Sequence, residues 1–130
     1  MILLDTHAMI WLLISPNELS KRARARILQA RKIGEQIACS PISLYEIAYS
    51  SFRERLKLHT SREDFIANVE ARIELIPITP QIAICAGELP VPFHGDPIDR
   101  IITATAIVMN CPLITKDEKI REVNLCKVVW

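Results

Sequence analysis

Aromatic residues and excess charge are both scarce in this chain of 130 residues. Phe, Trp and Tyr make up only 5% of a sequence that is 50% hydrophobic, so the core is expected to consist of Ile, Leu, Val and Ala. The formal net charge is only +1, so the overall charge gives no sign of a nucleic-acid partner. Such a partner has to be inferred from local clusters of charge.

The chain also lacks the cysteine spacing of a metal or redox site, because none of its four cysteines forms a C-x-x-C pair. Cys39, Cys85, Cys111 and Cys126 adjoin apolar residues or proline, which predicts small buried thiols and fits a reducing, cytoplasmic location. The apolar start of the chain has no basic segment before it, unlike a signal peptide. No segment is long and apolar enough to span a membrane, and no membrane partner is expected.

Strand and helix patterns alternate along the sequence. We predict strands over residues 2–5, 36–39, 75–78, 113–115 and 127–129, and helices over about 7–14, 21–32, 41–58, 62–71, 80–88, 97–110 and 117–121. Ser20, Ser40 and Ser61 are the predicted N-caps of three helices, and Gly34 is predicted to end one. This alternation predicts one α/β domain over residues 1–130, in which helices cover both faces of a parallel sheet.

Acidic residues follow short apolar stretches at five places: Asp5, Glu46, Asp96, Asp99 and Asp117. Burying an unpaired charge is costly, so such acids need a counter-charge. Carboxylate oxygens suit Mg²⁺ or Mn²⁺. Because strand ends and helix starts meet at the carboxyl edge of a parallel sheet, these acids are predicted to converge there.

Each acid also has a structural interpretation. Asp5 and Asp96 are candidate N-caps, and Asp117 is a candidate for the first turn of a short helix. Ser43 and Glu46 have the spacing of a capping box, although their helix is predicted to begin earlier. Structural and functional roles therefore both stay open for these residues.

Histidines and basic residues offer further interpretations. His7 lies two residues after Asp5, and His94 lies two before Asp96, so a His-x-Asp zinc site is an alternative that leaves most acids unexplained. Basic residues cluster in 21–32 and 53–57, either as solvated helix faces or as contacts to phosphate or an acidic partner. Arg22 and Arg26, one helical turn apart, are the candidates in the first cluster.

Four motifs, taken together, resemble the PIN-domain family, and within it the VapC toxins of toxin–antitoxin pairs. They are Leu3-Leu4-Asp5-Thr6-His7, Ser40-Pro41-Ile42-Ser43-Leu44-Tyr45-Glu46-Ile47, His94-Gly95-Asp96-Pro97-Ile98-Asp99-Arg100 and Leu113-Ile114-Thr115-Lys116-Asp117. The resemblance covers nearly the whole chain. It implies a three-layer α/β/α sandwich with a central parallel sheet.

The resemblance also implies a metal-dependent endoribonuclease held inactive by a cognate antitoxin, with RNA as substrate and a homodimer or a toxin–antitoxin hetero-oligomer as its assembly. Asp5, Glu46, Asp99 and Asp117 match the four family acids, which implies that they are catalytic and bind Mg²⁺, with Mn²⁺ as a substitute. It further implies that Asp96, Thr115 and Thr6 support these ligands or act as additional ones. Arg22, Arg26 and Arg100 are the candidates for contacts to RNA or to a partner.

Two rival classes predict different features. A phosphotransfer receiver domain needs paired acids after the first strand and an acceptor aspartate after a central strand, whereas strand 75–78 ends without an acid. A non-catalytic RNA- or protein-binding PIN-like module predicts no metal dependence and leaves the acids unexplained.

Overall fold

The computed structural model describes residues 1–90, 93 and 95–130. Within these residues the strands are β1 (Ile2–Leu4), β2 (Ile37–Cys39), β3 (Glu74–Leu75), β4 (Leu113–Ile114) and β5 (Val128–Val129). The helices are α1 (Thr6–Ile14), α2 (Lys21–Lys32), α3 (Pro41–Phe52), α4 (Arg62–Glu70), α5 (Pro80–Glu88), α6 (Pro97–Val108) and α7 (Glu118–Val123). Every predicted strand and helix is therefore present.

The strands form one parallel sheet in the order β3-β2-β1-β4-β5. The chain builds outward from β1 through β2 to β3, and then returns to the other side of β1 for β4 and β5. This reversal places a topological switch point between β1 and β4, where parallel α/β folds form their ligand sites. Leu3 pairs with Leu113, and Leu4 with Ile114, across that boundary.

Helices cover both faces of the sheet, as predicted. Successive side chains of a strand point to opposite faces, and β1 follows this rule. Ile2 and Leu4 pack in a cluster with residues of α1, α2, α3 and α4, whereas Leu3 packs in another with residues of α6 and α7. The large side chains that are fully buried are Ile, Leu, Met and Val. The aliphatic core expected from the composition is confirmed, and so is the three-layer α/β/α class.

Several helix boundaries follow their local signals. The hydroxyls of Ser20 and Ser61 accept hydrogen bonds from the backbone N–H groups of Ala23 and Asp64, both at 3.0 Å. Gly34 adopts a φ of 68° after α2, a conformation that glycine tolerates at a helix end. These predicted caps are confirmed.

Helix α3 ends at Phe52, so the prediction that it continues to Leu58 is wrong. Glu54 adopts a left-handed conformation with a φ of 57°, which breaks the helix. The N–H groups of Arg55 and Leu56 then donate to the Ser50 carbonyl at 2.9 and 3.2 Å. Leu56 still packs against the core from this loop, so its apolar character is not a sign of continued helix.

All four cysteines are free thiols, Cys39 and Cys111 buried and Cys85 and Cys126 half-buried. Burial raises the pKa of Cys39 to about 12 and that of Cys126 to about 11, so these thiols stay protonated. Within the described part of the chain, no helix combines the length and apolar character needed to cross a bilayer.

Candidate active site

The five acids named from the sequence line one cavity at the carboxyl edge of the sheet. Its volume is about 430 Å³. The lining residues are Asp5, Thr6, His7, Trp11, Glu46, Asp96, Asp99, Lys116 and Asp117. The predicted convergence of the acids is thus seen in the structure.

Three of the acids reach the cavity because they cap helices. Asp5 Oδ1 accepts the Ala8 N–H at 2.6 Å at the start of α1, and Asp96 Oδ1 accepts the Ile98 N–H at 2.9 Å at the start of α6. Asp117 accepts from the N–H groups of the second and third residues of α7 at 2.7 and 3.2 Å. Asp117 is therefore the N-cap itself, which corrects its assignment to the first turn. A helix start favours a negative charge, so capping and cavity lining reinforce each other.

Glu46 and Asp99 reach the cavity from within helices. Ser40 caps α3 as predicted, its hydroxyl accepting the Ile42 N–H at 3.4 Å, which places Glu46 in the second turn. Asp99 lies in the first turn of α6, one turn from the start marked by Asp96. Two helices from opposite faces of the sheet therefore contribute to one site.

Buried hydroxyls hold the acid-bearing segments together. Thr6 Oγ1 donates to Ser43 Oγ at 3.1 Å, which joins the start of α1 to the helix that carries Glu46. Thr115 is fully buried, its hydroxyl oxygen accepts the Asp117 N–H at 3.0 Å, and it hydrogen-bonds the Asp5 carboxyl group. Thr115 therefore links the ends of the two adjacent central strands.

The clustered carboxylates disfavour one another's ionisation. Burial raises the pKa of Asp99 to about 7, and the charges of Asp96, Asp117, Glu46 and Asp5 add to the rise. Burial also raises the pKa of Asp5, although hydrogen bonds from Thr115 and from the Ala8 N–H oppose the effect. A cation in the cavity would remove this repulsion.

The donor set fits a hydrated divalent cation. Carboxylate oxygens are hard ligands, and the cavity of about 430 Å³ has room for a metal ion with bound waters. Among residues 1–90, 93 and 95–130, no three His, Cys, Asp or Glu side chains are grouped closely enough to hold an ion directly. Mg²⁺ retains several waters and is commonly held by one or two carboxylates, so an open arrangement of this kind suits it.

The residues predicted to contact RNA lie differently. Arg26 Nη2 forms an ion pair with Glu35 at 2.7 Å, so its charge is used within the fold, whereas Arg22 on the same helix is exposed. Arg100 donates from Nε to the Ala86 carbonyl at 3.0 Å and from Nη2 to the Gly87 and Leu89 carbonyls at 3.3 and 3.0 Å. Its observed contacts tie α6 to the end of α5. Neither Arg22 nor Arg26 lines the acidic cavity.

The structure places only part of the alternative histidine-containing zinc site. His7 lines the acidic cavity, while His94 lies outside the described residues and His59 is exposed in the loop before α4. Sequence reasoning missed Trp11 and Lys116 as cavity residues, although Lys116 directly precedes Asp117. Lys116 Nζ lies 5.6 Å from the centroid of the Trp11 ring, a contact between side chains 105 residues apart that no local pattern indicates.

The fold and the site together define an α/β protein with a carboxylate-lined cleft at a topological switch point. The sequence matches the PIN domain family over residues 2–125. It is 35% identical over 120 residues to Ribonuclease VapC22 of Mycobacterium tuberculosis, covering 92% of this chain and 89% of that protein. The chain therefore belongs to the PIN-domain family.

Solved structures share the fold at low sequence identity. VapBC2 from Rickettsia felis, bound to a promoter DNA fragment, superposes with a TM-score of 0.74 at 19% identity, covering 98% of this chain and 97% of that one. VapBC-1 from nontypeable Haemophilus influenzae gives a TM-score of 0.71 at 20% identity, covering 98% and 96%. These similarities support the fold of the whole chain.

Proposed function

We propose that this protein is the ribonuclease toxin of a VapBC-type toxin–antitoxin pair, acting as a Mg²⁺-dependent endoribonuclease in the cytoplasm. The observation that carries this proposal is the convergence of five carboxylates on one cavity in a PIN-domain fold. The 35% identity to a VapC ribonuclease over most of both chains supports the substrate class. Residues 1–130 constitute one nuclease domain.

Asp5, Glu46, Asp99 and Asp117 are the proposed catalytic and metal-binding residues. When bound, the divalent ion supplies an activated water and stabilises negative charge on the phosphate. One or two of the four carboxylates would bind the hydrated ion directly and the others through its bound waters, and the helix starts behind Asp5 and Asp117 fix the positions of those two carboxylates. Mg²⁺ is the proposed metal because every acid offers hard oxygen ligands, and Mn²⁺ is expected to substitute for it.

Three further residues support this set. Asp96 caps α6 one turn before Asp99 and lines the same cavity, so it either orients water or completes the ligand set. Thr115 and Thr6 hold the segments that bear Asp5, Asp117 and Glu46 through the hydrogen bonds described above. Their proposed role is to keep the carboxylates in place.

The antitoxin is the proposed protein partner. Several solved structures with this fold are named as toxin–antitoxin complexes, including one from Klebsiella pneumoniae with a TM-score of 0.67 at 22% identity. By analogy, this chain assembles with a cognate antitoxin as a hetero-oligomer, or forms a homodimer on its own. A non-catalytic PIN-like module is the second candidate function. It does not explain why mutually repelling carboxylates that raise the pKa of Asp99 are gathered in one cavity.

Growth of cells that express the chain alone tests the toxin role. We expect induction to slow growth, Asp99→Asn to remove the effect, and co-expression of the cognate antitoxin to relieve it. The variant has nearly the same size and shape as the parent, so equal amounts of soluble protein provide the control. If Asp99→Asn slows growth as strongly as the parent, the toxicity does not come from this site and the toxin role is rejected.

A further inference from the structure

A second cavity extends the acidic one along the protein surface. Its volume is about 220 Å³, and Thr6, His7, Trp11 and Glu46 line both cavities. The two cavities therefore adjoin, and we refer to them together as the extended groove. Its far end is lined by residues of α1, of α3 and of the loop after α3, namely Ile10, Ile47, Ser50, Arg55 and Leu56.

The charge changes sign along the extended groove. One end is lined by carboxylates, whereas the far end carries the guanidinium of Arg55, which is exposed. In the described part of the chain, both observed ion pairs involve Glu35, so no carboxylate neutralises Arg55 through a salt bridge. A guanidinium with its fork of N–H donors available is well suited to bind phosphate oxygens.

An aromatic side chain lies between these two ends. Trp11 is half-buried and lines both cavities, so part of its indole faces the extended groove. Trp130 and His7 hold it in position, with ring centroids 5.6 and 5.7 Å away. Lys116 Nζ also lies over this ring, 5.6 Å from its centroid. Proteins bind single-stranded nucleic acid in grooves that carry both aromatic rings and cations, because bases stack on the rings while cations bind phosphates. The sequence alone does not indicate this arrangement, because Trp11 lies in α1 and Arg55 lies in the loop after α3.

We propose that the extended groove binds the single-stranded RNA segment next to the cleaved bond, with Arg55 on a flanking phosphate and Trp11 under a neighbouring base. This inference rests on the proposed ribonuclease function, because it is the acidic end that makes the groove lead to a reaction centre. RNA is favoured over a peptide as occupant because the ring and the free guanidinium match a base and a phosphate. Arg55 and Trp11 bind and position the substrate and take no part in the bond cleavage.

Binding of a fluorescein-labelled, random-sequence 20-nucleotide single-stranded RNA, followed by anisotropy in Ca²⁺ at several salt concentrations, tests the role of Arg55. We expect Arg55→Gln to weaken binding about five- to ten-fold at low salt and to reduce the slope of log K against log salt by roughly 0.7, the value for one lost phosphate contact. Arg55→Lys should retain the slope. Arg53→Gln is the matched control, because Arg53 lies over the Tyr49 ring at 4.0 Å and lines neither cavity.

The same assay tests the stacking role of Trp11. Trp11→Phe should bind RNA nearly as well as the parent, and Trp11→Leu should bind about ten-fold more weakly, because leucine fills space but has no aromatic face. Thermal unfolding of both variants controls for lost packing against Trp130. Equal RNA affinity of Trp11→Leu and Trp11→Phe would reject stacking.

The outcomes separate this inference from the proposed function. If the parent cleaves RNA while Arg55→Gln binds RNA with the parent's affinity and salt slope, the inference fails and the ribonuclease function stands. Equal losses in Arg55→Gln and Arg53→Gln also reject it, since they indicate unspecific attraction. If Arg55→Gln loses binding to the cognate antitoxin but retains RNA binding, the groove is a protein-binding surface. If the parent neither binds nor cleaves RNA, both proposals fail.

Discussion

Asp5→Asn is expected to reduce RNA cleavage about 100- to 1,000-fold or more without unfolding the protein. Asp5 is buried at the end of β1, and its carboxylate is proposed to bind the metal ion directly. Asparagine keeps the size of the side chain and an oxygen that can accept the Ala8 N–H, so the cap of α1 is retained. The substitution is therefore expected to reduce the cleavage rate and not the stability of the fold. Cleavage of labelled RNA in Mg²⁺ measures this loss.

Stability provides the control for this variant. Burial and the charge of Glu46 raise the pKa of Asp5, so removing the charge should stabilise the metal-free protein. We expect the Tm of Asp5→Asn in chelator at pH 8 to rise by roughly 3–5 °C, the shift that about 1 kcal/mol produces in a domain of this size. A variant that loses cleavage together with a marked drop in Tm would indicate misfolding instead.

The metal-free protein is expected to lose stability between pH 5.5 and pH 8, and a divalent ion is expected to restore it. The pKa of Asp99 is about 7 in the folded chain and near 4 when unfolded, so the folded state binds the extra proton between these values. The free energy of unfolding therefore falls as the pH rises through this range, and it stops falling above the pKa of the folded state. The ion binds the deprotonated carboxylates, so its stabilising effect should be greater at pH 8 than at pH 5.5.

Two comparisons isolate the contribution of Asp99. Asp99→Asn should reduce the pH dependence in chelator and the stabilisation by Mg²⁺ at pH 8, and the part that stays belongs to Asp5, whose pKa burial also raises. Glu35 does not interfere, because hydrogen bonds from Arg26 and the N-terminus lower its pKa to about 2, and its stabilising effect is lost only as the pH falls toward that value. A parent protein whose Tm responds equally to Mg²⁺ at both pH values would contradict a cation site built on Asp99.

Much of the fold was predictable because its signals are local. Ser20, Ser61 and Gly34 mark helix ends by their own chemistry, and three consecutive apolar residues mark β1. The end of α3 was not predictable, because it depends on the left-handed backbone of Glu54 and on two N–H groups that share the Ser50 carbonyl. No glycine or proline marks either feature in the sequence.

The acids of the site were predictable for a related reason. Asp5 and Asp117 follow adjacent parallel strands, so the sheet alone brings them to one edge. The roles of the basic residues required the three-dimensional structure, since Arg26 pairs with Glu35 and Arg100 binds carbonyls 11 to 14 residues away. The extended groove likewise depends on Trp11 and Arg55, which line one cavity only when α1 packs beside α3.

The most direct measurement of the central claim is cleavage of total cellular RNA by the purified protein, with cut sites mapped, in excess chelator and after Mg²⁺ is restored. Asp5→Asn protein from the same preparation controls for contaminating nucleases. We expect no cleavage in chelator, cleavage at defined sites once Mg²⁺ is added, and no cleavage by the variant under either condition. Cleavage by the parent that persists in excess chelator, or equal cleavage by the variant, would contradict a metal-dependent ribonuclease site built on these carboxylates.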